Sequence, residues 1–130
     1  MKLSEAIRKG SQGNKQIFGN LAVEDQYGHV VGTCAMGAAL HALKKYDLNS
    51  VDSYVYLREE FPLINYVYGP VDPIGQGSVE DLFSAIWLWN DSLGLTREEI
   101  ADRVAKFEIE VDHILGTKPA KILQKVTDNA

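Results

Sequence analysis

The chain has 130 residues and carries 13 Lys and Arg against 18 Asp and Glu, a net charge of -5. That length suffices for one domain with its own core, and the 45% hydrophobic and 24% charged fractions exclude a disordered or fibrous polymer. Net acidity works against nucleic acid as a partner, and the single cysteine excludes an intramolecular disulfide framework.

The first segment, "MKLSEAIRKG", lacks the apolar core of a signal peptide, and no apolar run reaches the length a bilayer requires. A protein of the reducing cytoplasm, with no membrane partner, is therefore expected. Within the segment a short helix is predicted, with Ser4 as cap, Glu5 in its first turn and Gly10 as its stop. The turn-rich "SQGNKQIFGN" follows. Leu21 and Val23 then stand on one side of a turn at residues 25–28, with Val30 and Val31 on the other, the pattern of a small β-hairpin.

Thr33 is the expected cap of a helix running to about Tyr46. At 100° per residue, Met36, Leu40 and Leu43 form one stripe, and Cys34, Gly37, Ala38 and His41 form another nearly opposite. With Ala35, Ala39 and Ala42 between them, this slim helix suits the centre of a fold. A third helix is predicted from Ser50 to Phe61, with Val51, Tyr54, Val55 and Phe61 on its inner face and Pro62 as its stop. Residues 62–78 hold three of the four prolines and read as a flexible loop.

Ser78 should open the next helix, with core face Val79, Leu82, Phe83, Ile86, Trp89 and Leu93, and Gly94 as terminator. Asn90, about three turns from Val79, falls on that apolar face and is expected to be buried. In "TREE", Thr96 and Glu99 form a capping box. The helix that follows repeats Ile100, Val104, Phe107, Val111 and Ile114 at heptad spacing and should end at Gly116. Pro119 suits the first turn of a last helix carrying Ile122, Leu123 and Val126. The pattern implies a mainly α, single-domain chain of five or six helices with at most one small β-hairpin near residues 21–31.

Three segments in order, "LSEAIRKG", "TCAMGAA" and "WNDSLGLTREEIADRV", resemble a broad group of small bacterial and phage proteins of the DUF6197 type, a domain of unknown function. In that group a short N-terminal helix precedes a "CALGAL"-like helix, and an "ND" precedes a "TREEIA"-like helix. The matching positions are Cys34, Ala35, Gly37 and Ala38, then Asn90 and Asp91, then Thr96, Glu99 and Ile100. The resemblance implies a helical fold and a bacterial or phage origin, and no activity, cofactor or substrate.

Cys34 is the one candidate catalytic residue. A helix N-terminus stabilises a thiolate, and a histidine could serve as base. His41 cannot be that base, because seven residues of helix separate the two by about 10 Å. Only His29 or His113 remains, the first beside a turn and the second away from its helix's apolar seam. A buried, close-packed cysteine beside Gly37 and the alanines is the favoured alternative.

One cysteine and three scattered histidines lack the spacing of a metal site, and "GPVDPIGQG" lacks the Lys and Ser/Thr of a phosphate loop, so neither metal nor cofactor is expected. The "TREEIADRVA" segment invites a helix-turn-helix reading, but Glu108, Glu110 and Asp112 stand where a recognition helix offers basic or amide groups. Asn90 and Asp91 read as a structural latch, the amide meeting backbone of the turn or of the Cys34 helix, with a binding role as the alternative. Trp87 and Leu88 add apolar surface beyond one core stripe. They point to a protein partner or a second copy, unless Tyr66 and Tyr68 cover them.

The expected function is that of a small non-enzymatic protein acting through protein contact or self-association. The alternatives are a cysteine-dependent hydrolase or transferase and, more weakly, a DNA-binding regulator.

Overall fold

The computed structural model describes residues 1–44, 51–70 and 79–117. Helix α1 (Leu3–Ser11) turns Leu3, Ala6, Ile7 and Gly10 inward. Strands β1 (Lys15–Gln16), β2 (Ala22–Glu24) and β3 (Val30–Thr33) follow, then α2 (Ala35–Ala42) and α3 (Val51–Glu60). A 3-10 turn (Pro62–Asn65) leads into β4 (Val67–Pro70) and β5 (Val79–Asp81), and helices α4 (Leu82–Asp91) and α5 (Arg97–Thr117) close the described chain. The protein is mainly helical, with five α-helices among the described residues, and none of them is long and apolar enough to cross a membrane.

Helix α2 is the axis of the fold. Every residue in it except His41 is buried, because its alanines and glycine let backbones approach on all sides. A Cβ on Gly37 would overlap the Leu21 carbonyl, and one on Gly10 of α1 would overlap the Ala38 carbonyl. Gly10 is therefore a point of helix contact rather than a stop, and α1 continues to Ser11. Helix α2 ends earlier than expected, at Ala42, where Lys44 takes a left-handed backbone (φ 58) and breaks the helical run.

Ser4 does not cap α1. It lies in the first turn, where its N–H donates to Glu108 Oε2 at 3.3 Å and its hydroxyl donates to Glu108 Oε1. The cap position falls to Lys2, whose N–H donates to Glu5 Oε2 at 3.4 Å, while the Ser4 N–H finds its acceptor in a carboxylate from α5. Glu108 is accordingly buried.

The expected hairpin is present. β2 pairs antiparallel with β3, Ala22 opposite Thr33 and Val23 opposite Gly32. It gains a third strand because β1 joins β3 in parallel, Lys15 opposite Gly32, to give the order β1-β3-β2. Two residues of turn-rich sequence carry no strand periodicity, and only the approach of β3 defines β1.

Helix α3 buries Ser53 and Leu57, while Val51 and Val55 are 79% and 52% exposed. The predicted inner face is thus rotated, with only Tyr54 half-buried and Phe61 buried as expected. Leu57 and the 3-10 residue Ile64 occupy the core positions instead. The described part of the 62–78 loop is ordered into that 3-10 turn and β4, and β4 pairs with β5, Val67 opposite Asp81. Residues 71–78, including the Ser78 cap, lie outside the described residues, as do Ser50 and the helix expected after Pro119.

Pairing with β4 converts Val79–Asp81 from the expected helical turn into strand. Helix α4 then starts at Leu82, capped by Asp81, whose Oδ1 accepts from Ser84 N–H at 2.8 Å. After α4 the chain reverses through Gly94 (φ 64). Helix α5 begins with the predicted box: Glu99 N–H donates to Thr96 Oγ1 at 3.0 Å, and Thr96 N–H donates to Glu99 Oε1 at 3.2 Å. Ile100, Val104, Phe107 and Val111 all face the core. They meet α1 and α4 around Trp89, whose ring takes Tyr68 edge-on at 5.0 Å, while Tyr68 also packs on Phe107.

Candidate functional site

The sequence singles out Cys34, Asn90, Asp91 and Trp87, and the first three meet where α2 begins. Asn90 lies in the last turn of α4, one residue past Trp89 and four past Ile86, which turns it inward and leaves it 2% exposed. Its Oδ1 accepts from the Ala35 backbone N–H at 3.1 Å and from Gln16 Nε2 at 2.9 Å. Its Nδ2 donates to the Ile17 carbonyl at 3.0 Å and to Asp91 Oδ1 at 2.8 Å. Two acceptor sites and two N–H groups are the full capacity of an amide side chain, and all four are used internally.

Asp91 extends the network, since its Oδ1 also accepts from Gly19 N–H at 3.1 Å. Gln16 Nε2 reaches on to the Leu95 carbonyl at 2.8 Å, which ties β1 to the link between α4 and α5.

A second cluster adjoins the first through β1 and β3. Arg97, first residue of α5, donates from Nη1 to Asn14 Oδ1 at 2.6 Å and to Thr33 Oγ1 at 2.8 Å, and from Nη2 to the Asn14 carbonyl at 2.6 Å. Thr33 in turn donates to Asn14 Oδ1 at 2.8 Å. Thr33 is therefore the end of a strand and an acceptor for a guanidinium, not the expected helix cap. Among the described residues no carboxylate pairs with Arg97. Burial lowers its pKa below the ordinary arginine value, opposed in part by the nearby Cys34.

Cys34 takes the cap position of α2. Its Sγ accepts from Gly37 N–H at 3.3 Å, its own N–H donates to the Leu21 carbonyl at 3.1 Å, and it is 2% exposed. Burial pushes its thiol up to about 11, outweighing the Gly37 and Met36 N–H groups that favour a thiolate, and Asp91 raises it further. The helix N-terminus thus loses to desolvation. The histidines do not help: the His29 side chain is 77% exposed on the hairpin, 3.5 Å from Asp25, and His113 lies on the exposed side of α5. Among the described residues no three His, Cys, Asp or Glu side chains are placed to hold a metal ion.

Trp87 stands apart from this network. Its half-buried ring stacks on Phe83 at 6.3 Å, and Phe83 receives the edge of Tyr54 at 6.0 Å and the Arg58 guanidinium at 4.6 Å. The cover on that side of α4 comes from α3, whereas Tyr68 of β4 packs on Trp89.

Sequence reasoning missed Asn14, Gln16 and Arg97. One signal for Arg97 was present: a cation in the first turn of a helix opposes the macrodipole, so its place there calls for a partner from elsewhere in the chain. Together these groups clamp three stretches of the chain, namely residues 14–19, the junction of β3 with α2 and the junction of α4 with α5. With every donor and acceptor of Asn90 engaged and the thiol kept protonated, the arrangement is chemically suited to holding the chain.

No family model, curated protein or solved structure matches this chain.

Proposed function

We propose that the protein is a non-enzymatic module that acts through protein contact, in the first instance with a second copy of itself, and that the β2–β3 hairpin with the segment leading into it is the contact surface. One observation carries this reading: Tyr27 is 75% exposed, Phe18 55%, Val23 42% and Val31 38%, four large apolar side chains on a stretch of 14 residues. Large apolar groups gathered on one exposed element mark interaction surfaces more often than scattered ones do. The same stretch is anchored at both ends by the Asn90, Asp91 and Arg97 contacts, so the body of the protein holds the hairpin rigidly and little ordering entropy opposes binding.

The buried, protonated thiol of Cys34 supports this reading over a cysteine-dependent enzyme. The continuity of α5 over 21 residues supports it over a helix-turn-helix regulator, because no turn separates two short helices there. A cytoplasmic setting and kinship with the DUF6197 type belong to the same proposal. The kinship rests on the order of its three motif segments in the sequence.

Sedimentation equilibrium tests it on the wild type and on the double variant Tyr27→Glu, Val31→Glu. Association that grows with concentration and is lost in the variant, with an unchanged circular dichroism spectrum, is the expected result. A wild type that remains monomeric up to about 1 mM, the weakest range of specific binding, overturns self-association. Equal association of both proteins removes the hairpin as the surface.

A further inference from the structure

We draw no further inference here: the strongest candidate, the cleft of about 210 Å3 between the start of α1, the junction of α3 with the 3-10 turn and the face of α5, is an acidic cluster of Glu60, Glu108 and Asp112 whose one buried carboxylate is already bonded by Ser4, so nothing in it points to a ligand.

Discussion

The side-chain oxygen of Asn90 accepts a hydrogen bond from the backbone N–H of Ala35 at 3.1 Å, joining the end of α4 to the start of α2 across 55 positions of sequence. A helix start has N–H groups with no intrahelical partner. At α2 one is taken by Asn90 and another by the Cys34 sulfur, so the helix at the centre of the fold is capped partly by a neighbour. Asn90 consequently bears on β1, α2 and α4 at once.

Replacement of Asn90 by Ala strands the Ala35 N–H in the interior and takes the donor from the half-buried Ile17 carbonyl. A loss of about 2 kcal/mol is expected in urea unfolding, most of it from the one fully buried group left unsatisfied. Asn90→Asp keeps the acceptor but loses both donors and sets a carboxylate beside Asp91. Its stability should fall as pH rises through the carboxylate range, because the neutral form is the one the folded site tolerates. A pH-independent deficit in that variant would show that the Asn90 to Asp91 contact is slack.

Cys34 gives a prediction at alkaline pH. Its thiol is raised from 9.0 to about 11 in the folded protein, so the folded state holds its proton where the unfolded chain has released it. The associated stability is complete below pH 9 and is lost as pH rises through 11, by an amount on the order of 2 to 3 kcal/mol. Unfolding of wild type and Cys34→Ser between pH 8 and 11 isolates it, since Ser keeps a capping oxygen and does not titrate there. Parallel curves would contradict the burial assigned to the sulfur. In the same range iodoacetamide should modify the native thiol far more slowly than a free one, with full reactivity on denaturation.

The two close-approach glycines are predicted to be intolerant. A methyl group at Gly37 or Gly10 overlaps a carbonyl of a neighbouring segment, and neither helix can retreat without opening the core. Gly37→Ala and Gly10→Ala should each cost roughly 3 kcal/mol or more, in the upper range for overpacking. Thermal unfolding provides the measurement, and a loss below about 1 kcal/mol would mean that the helices separate easily.

Arg97→Lys should destabilise by about 1 to 2 kcal/mol, because one ammonium cannot reach Asn14 and Thr33 with the geometry of a two-pronged guanidinium. Hydrogen exchange locates the effect: amides of β1 and the start of β3 should lose protection while those of α5 beyond Val104 keep theirs. Uniform loss along the chain would instead place Arg97 in the global core.

Ser4 and Glu108 form a long-range cap whose coupling can be measured directly. In a double-mutant cycle with Ser4→Ala and Glu108→Gln, an interaction energy of about 1 to 3 kcal/mol is expected for the bond from the Ser4 hydroxyl to a buried carboxylate. Additive losses would show that the hydroxyl is not coupled to Glu108, leaving only the backbone N–H of Ser4 as its donor.

Much of this architecture was legible from local pattern. Thr96 and Glu99 are three residues apart and satisfy each other within one turn, so their capping box needs nothing from the rest of the chain. The Ile100, Val104, Phe107 and Val111 seam follows from helix periodicity, and the 25–28 turn from its Asp and Gly. Asn90 was expected at a buried position, although counted from Val79, which proves to be strand; Ile86 and Trp89 are the helical neighbours that turn it inward.

The remainder depended on contacts between segments far apart in the chain. Val79–Asp81 became strand because β4 lies alongside it, and Ser4 became a donor to Glu108 because α5 brings a carboxylate to the start of α1. Arg97 was drawn into the fold by Asn14 and Thr33, 83 and 64 positions away. The helical class, the central place of the slim α2 and the capping of α5 follow from local pattern alone, since periodicity and side-chain size act within a few residues. Which donor meets which acceptor is settled by segments that come together only when the core closes, and for Cys34 that closure chose burial over reactivity.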